Sequence, residues 1–154
     1  MTFVDPYGEV AMSIERLTQA TPELLAAMQR LTPQLSPSAS TVTMERLANI
    51  VTASSNVFLV ARESGQIVGT LTLALFPILT GVRAWIEDVV VDDSFRARGI
   101  GRALIEEAMV YARIAGATTL DLTSRPSREA ANGLYQSIGF VKRETNVYRF
   151  SLEN

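Results

Sequence analysis

None of the 154 residues is a histidine or a cysteine, so any acid–base chemistry must come from carboxylates, tyrosine, lysine, backbone groups or water. Thiol nucleophiles, disulfides, Cys/His zinc sites and histidine-based triads are excluded together. Against that background two stretches could do chemistry. Glu87 and Asp88 interrupt the apolar run from Trp85 to Val91, and Arg96, Arg98, Gly99, Gly101 and Arg102 crowd the turn that follows. The turn joins a β-branched strand to an amphipathic helix, whose first turn offers unpartnered N–H groups and the positive end of the dipole. Glycines at 99 and 101 let a ligand approach those amides, and three arginines add charge. The arrangement suits a polyanion, above all a pyrophosphate.

Two nucleotide motifs fit poorly. A phosphate-binding P-loop needs Lys and then Ser or Thr after its last glycine, but Arg102 and Ala103 follow Gly101. A dinucleotide turn needs a third glycine where Leu104 stands. Asp121 lies at the distance expected of a ribose-binding acid, yet the alternation of residues 119–123 puts it in mid-strand. The carboxylates are scattered without ligand spacing, so no metal is expected.

The Arg-x-x-Gly-x-Gly stretch Arg96–Gly101, after a hydrophobic strand, resembles the acetyl-CoA pyrophosphate loop of GNAT superfamily N-acetyltransferases. The stretch from Asn132 through Tyr135 to Gly139-Phe140 resembles the second signature of that family, in the expected order. The resemblance implies a compact single-domain α/β GNAT fold across residues 1–154, with a mixed central sheet flanked by helices and central strands that splay apart. It implies acetyl-CoA as co-substrate and direct transfer of its acetyl group to a primary amine. The strand before the loop would carry a bulge. Backbone groups of Val89 and Val91 would face the thioester, with one N–H, that of Val89, stabilising the oxyanion. Arg96, Arg98, Gly99, Gly101, Arg102 and Asn132 would hold the cofactor.

Glu87 is the candidate general base. Strict alternation puts it on one face with Val89 and Val91, and an ammonium acceptor must lose a proton before it attacks. Glu87 could equally bind the acceptor or pair with an arginine without moving protons. Tyr135 is the candidate acid, aligned with the family tyrosine that protonates the departing thiolate; the alternative is a core tyrosine between Leu134 and Phe140. Residues 86–91 resemble those of glucosamine phosphate acetyltransferases, which points to a small polar acceptor. Arg125 and Arg128 would meet a phosphate or an anionic acceptor, or form an exposed charged loop.

These residues must be carried by a framework, and the sequence outlines one. A strand is expected over 11–17. A helix capped by Thr21 with Pro22 at its first position runs to about Leu31, and a loop over 32–38 follows. A second helix covers 44–51. Strands are expected over 56–62, 67–76 and 83–91, then a helix with Ile100, Leu104, Ala108, Ala112 and Ala115 on one face, closed by Gly116. A strand over 118–123, a helix over 128–137 and one or two final strands within 140–152 complete the order. The length suits one domain. A net charge of −2 argues against a nucleic-acid partner. The N-terminal residues do not read as a signal peptide and the apolar run 71–79 is too short to span a bilayer, so a cytoplasmic protein without a membrane partner is expected. The alternation of 147–152 would also suit a homodimer paired through C-terminal strands. Two rival functions stand beside the small-molecule acetyltransferase: acetylation of a protein lysine or N-terminal amine, and a non-catalytic acyl-CoA-binding sensor.

Overall fold

Alternating and continuous apolar runs in the first 122 residues build one sheet with helices on both faces. A computed structural model describes residues 1–4 and 10–152, which fall into two compact units, 1–122 and 123–154. The first unit contains β1 (Thr2–Val4), β2 (Val10–Leu17), α1 (Pro22–Leu35), α2 (Met44–Thr52), β3 (Asn56–Glu63), β4 (Gln66–Ile78), β5 (Gly81–Val91), a 3-10 turn (Asp93–Phe95), α3 (Ile100–Ile114) and β6 (Ala117–Asp121). The strands lie in sequence order, β1 to β6. All neighbours are antiparallel except β5 and β6, which run parallel. This is the mixed α/β sheet expected from the sequence.

Each helix has a local cause. Thr21 accepts from the Leu24 N–H at 3.1 Å, with Pro22 at the first position. Thr43 caps α2 in the same way, at 3.2 Å from the Arg46 N–H, a cap the sequence reading passed over. The first helix continues to Leu35 rather than Leu31. Pro33 removes one amide donor from its last turn, but Ser36 N–H still closes on Thr32 O at 2.9 Å. Helix α3 starts at Gly99, in the left-handed region at φ +79°, and stops where Gly116 takes the same conformation.

Two cores flank the sheet. Leu24, Met28 and Leu31 of α1 and Leu47 and Val51 of α2 pack on Phe58, Val60 and Val90. On the other face Ile100, Leu104, Ile105, Ala108 and Ala112 of α3 are buried. Gly69 lets the head of α3 press on β4, since an added Cβ would lie 3.1 Å from Val90 O and 3.3 Å from Leu104 Cδ1.

Three further sequence expectations need correction here. A short strand, β1, pairs with β2 and was not foreseen. Asp121 ends β6 instead of sitting in mid-strand. Its distance from the turn therefore does suit a ribose-binding acid, and the missing third glycine alone argues against the dinucleotide motif. Residues 140–152 form no strand. Val147, Tyr148, Phe150 and Leu152 are all more than 70% exposed; alternation supplies a face, but a strand also needs a ladder partner. The second unit contains α4 (Glu129–Ile138), closed by Gly139 at φ +111°. No described helix is long and apolar enough to cross a membrane.

Gly69→Ala forces Val90 O or the Leu104 side chain to yield. We expect it to lower stability by about 1–3 kcal/mol, measured by urea unfolding.

Candidate functional site

The site residues of the first unit depend on one irregularity. Thr70 pairs with Val90 and Thr72 with Glu87, so the two residues Asp88 and Val89 stand opposite Leu71 alone. This is a β-bulge, and Asp88 takes φ +53° to make it. Asp and Asn visit that region more readily than other non-glycine residues. The bulge that the resemblance implied is therefore present.

It also overturns one expectation. Residues directly opposite in a sheet share a face. Phe58, Thr72 and Glu87 are aligned, as are Val60, Thr70 and Val90; this is the face covered by α1 and α2. Val91 aligns with Gly69, which faces α3. The extra residue breaks the alternation, so Glu87 and Val91 lie on opposite faces. Glu87 joins the side walled by α1 and α2.

Trp85 shares that face and donates its indole N–H to Glu87 Oε1 at 2.8 Å. It is half-buried. Asp121 pairs with Trp85 across the parallel ladder and lies 3.7 Å from Arg83. The carboxyl of Asp88 is pushed above the usual range by desolvation and by the Glu87 carboxylate, and Arg46 opposes the shift. Thr72, 7% exposed, lies directly across from Glu87 with no hydrogen-bond partner on its hydroxyl. Sequence reasoning missed it; the available signal was a pair of threonines, 70 and 72, inside a mostly apolar strand.

Strand β6 pairs with β5 only as far as Trp85. There β6 itself ends, at Asp121, and residues 86–91 run on to the turn without β6 beside them. Val89 and Val91 are half-buried there.

The arginine–glycine turn sits at the head of α3. Ala97 and Gly99 both adopt positive φ, at +61° and +79°, and a Cβ on Gly99 would meet nothing within 4 Å. The approach to the helix end is thus open, as a pyrophosphate requires. Gly101 occupies the first turn of α3. The arginines are already engaged: Arg96 with Asp93 at 2.5 Å, Arg98 with Glu63 at 2.9 Å, and Arg102 with Glu106 at 3.5 Å. Arg98 also lies over the Phe95 ring at 4.9 Å. A cleft of about 370 Å³ opens beside them, lined in part by Phe3, Met12, Glu63, Arg98, Gly99 and Arg102. An anion at the turn would compete with the acids for these cations.

The structure thus gathers Glu87, Val89, Val91 and the turn 96–102 within the first unit. Asn132 and Tyr135 belong to the second. There Asn132 Nδ2 donates to Arg125 O at 3.0 Å, and Tyr135 meets Phe140 edge-on, ring centres 5.9 Å apart. Burial pushes the Tyr135 hydroxyl above its usual range while Arg128 pulls the other way, so the phenol keeps its proton at neutral pH.

A model of the acetyltransferase (GNAT) family matches residues 24–140. The chain is 38% identical over 107 residues to a glucosamine 6-phosphate N-acetyltransferase of Trypanosoma brucei brucei, covering 68% of each chain. It is 29% identical over 147 residues to an aminoglycoside N(6')-acetyltransferase type 1 of Stenotrophomonas maltophilia, covering 92% of this chain and 96% of that one. Among solved structures, a putative acetyltransferase from Agrobacterium tumefaciens superposes with a TM-score of 0.80 at 29% identity, covering 90% of this chain and 99% of the other.

The raised carboxyl of Asp88 gives a pH test. Stability from such a group is complete below the ordinary carboxylate value and is lost as pH rises through the raised one. Asp88→Asn, which tolerates the same backbone, should be more stable than the parent at pH 7. The advantage should shrink as pH falls towards about 4, followed by urea unfolding at each pH.

Proposed function

The chain belongs to the acetyltransferase (GNAT) family, and from that premise we propose that it transfers the acetyl group of acetyl-CoA directly to a small, multiply charged amine. Membership makes it an acetyl-CoA-dependent N-acetyltransferase; the acceptor and the residue roles are our reading. The family match runs through both units, from 24 to 140, which favours one acetyltransferase domain over 1–154. We place the protein in the cytoplasm as part of the same reading.

The residues at hand fit acetyl-CoA. The helix head, open at Gly99 and with Gly101 in its first turn, suits the pyrophosphate, with Arg96, Arg98 and Arg102 around it. The edge of β5 past Trp85, where Val89 and Val91 lie, suits the thioester arm. Acetyl-CoA brings an acyl group activated for attack. The chain then needs to align an amine, remove its proton and return one to sulfur.

The observation that carries the mechanism is the bulge, which turns Glu87 onto the α1/α2 face just before the cofactor turn. In our reading Glu87, directly or through a water, takes the proton from the acceptor ammonium. The Val89 N–H polarises the thioester carbonyl. Tyr135, protonated at neutral pH, gives its phenolic proton to the leaving sulfur, and Asn132 holds the cofactor. With no cysteine in the chain, attack by the amine itself needs no acyl-enzyme. Aligning two reactants lowers the barrier by about 7–11 kcal/mol, and proton transfer by a positioned group adds about 10²–10⁴ in rate.

The acceptor class follows from charge. Glu87 bonds the Trp85 indole, Asp121 pairs with Trp85 across the ladder and Asp88 follows Glu87 in the chain, while Arg83 and Arg46 are each close to one of those acids. Such a surface attracts an amine with several positive charges and opposes a sugar phosphate. The similarity to an aminoglycoside acetyltransferase over nearly the whole chain agrees. Release of free CoA thiol should therefore be followed with neamine, spermidine and glucosamine 6-phosphate. Turnover with neamine or spermidine and little with the phosphate supports the reading. Turnover confined to the phosphate overturns the acceptor class, and none with any small amine turns the search to protein amines or a sensor.

Glu87→Gln should reduce kcat by about 10²–10⁴ while acetyl-CoA still binds. Tyr135→Phe should reduce kcat with the KM for acetyl-CoA retained. Both are read from initial-rate kinetics beside calorimetric titration with CoA.

A further inference from the structure

The cofactor turn is held from an unexpected direction, the acceptor-side helix. Arg30 of α1 forks between two partners: one guanidinium nitrogen bonds the Asp92 carboxylate, and the other donates to Ile67 O at 2.6 Å. Asp92, 7% exposed, has no freedom left. Its second carboxylate oxygen accepts the Ser94 N–H at 3.0 Å, its own N–H reaches Val68 O at 2.8 Å, and its carbonyl accepts from Phe95 at 2.8 Å. One helical turn further on, Gln34 Oε1 accepts the Asp93 N–H at 2.9 Å, and its amide reaches back to Arg30 O at 3.3 Å. These bonds fix the 3-10 turn Asp93–Phe95, from which the chain passes into Arg96–Gly101. The same α1 packs through Leu24, Met28 and Leu31 into the core that holds Val90, just beyond the bulge.

We infer that Arg30 and Gln34 are positioning residues for the cofactor turn, so that α1 ties the acceptor wall to the loop that grips acetyl-CoA. Neither is near the reacting atoms in this scheme; both act through Asp92 and Asp93. The carboxylate of Asp92, buried and bonded on both oxygens, is a stiff link. A guanidinium suits the task because its planar fork reaches a carboxylate and a carbonyl at once, which an ammonium on a flexible stem does less well. A displacement of α1 when an acceptor enters would therefore move residues 92–95 and change the presentation of the Gly99 and Gly101 amides. The second half of this inference rests on reading the turn as the acetyl-CoA site.

The test uses Arg30→Met, Arg30→Lys and Gln34→Leu in the full chain. Amide hydrogen exchange of residues 93–101, referred to that of β3, reads the clamp without any ligand. Initial rates read its effect on the KM for acetyl-CoA. Losing hydrogen bonds to a charged group is large enough to be seen as about a tenfold change. We expect Arg30→Met to raise exchange in 93–101 about tenfold beyond any change in β3, and to raise the KM for acetyl-CoA more than it lowers kcat. Arg30→Lys should fall between. Gln34→Leu, which leaves the ion pair intact, should show the same selective pattern on a smaller scale, and it decides the matter if Arg30→Met does not fold. Equal changes in 93–101 and β3, or none, would overturn the inference and leave Arg30 a residue of general stability. A wild-type chain that does not take up acetyl-CoA would sink the functional reading instead, with the exchange result still deciding the clamp.

Discussion

One extra residue in β5 organises the site. Without the bulge at Asp88–Val89, strict alternation would put Glu87 and Val91 on the same face of the sheet. With it, Glu87 faces α1 and α2 while Val91 faces α3. Glu87 and the helices α1 and α2 thus share a side, and the strand still delivers the chain to the head of α3. A bulge sharpens the local twist as well. The β5–β6 ladder stops at Trp85 and Asp121, where β6 itself ends, so the last six residues of β5 run past it. The conformation at φ +53° is strained for most side chains, and the presence of aspartate there is one local choice that keeps the strain small.

Electrostatics then divides the first unit into two regions. At the turn before α3, arginines gather around an open helix terminus, each held by a nearby acid. These exposed pairs contribute little to stability and can be exchanged for a bound anion. On the α1/α2 face Glu87 accepts from the Trp85 indole and Asp121 is the ladder partner of Trp85, with Arg83 3.7 Å from Asp121. On the proposed reading, the arginine-rich turn draws the polyanionic donor and the acids near Trp85 draw a cationic acceptor. In a chain without histidine, the roles proposed for proton transfer fall to a carboxylate, Glu87, and a phenol, Tyr135. Burial raises the hydroxyl of Tyr135, which keeps it an acid at neutral pH.

Much of this was legible in the sequence because it is written locally. Thr21 with Pro22 announced α1, the spacing Ile100–Leu104–Ala108–Ala112 gave the buried face of α3, and Gly99 and Gly139 mark real left-handed positions. The Arg96–Gly101 motif lies at a helix head, as its composition suggested. What was not legible depends on partners distant in the chain. The bulge is a relation between β5 and β4, and Asp88 looks like any polar residue in a strand. The clamp joins residues 62 apart, Arg30 and Asp92, and helix α1 outlasted its proline because one later hydrogen bond survived. Residues 140–152 illustrate the opposite error: their alternation is strand-like, but a pattern without a ladder does not make a strand.

The central claim is that the turn at the head of α3 takes acetyl-CoA. Thermal unfolding in parallel with acetyl-CoA, CoA, NAD and ATP tests it most directly. A ligand at a hundredfold excess over its Kd adds about 2.7 kcal/mol, which for a chain of this size is a rise in Tm of roughly 5–11 °C. That rise is expected with acetyl-CoA and CoA, and none with NAD or ATP. No rise with acetyl-CoA, or a larger one with NAD or ATP, would contradict it and remove the roles assigned to Glu87 and Tyr135 as well.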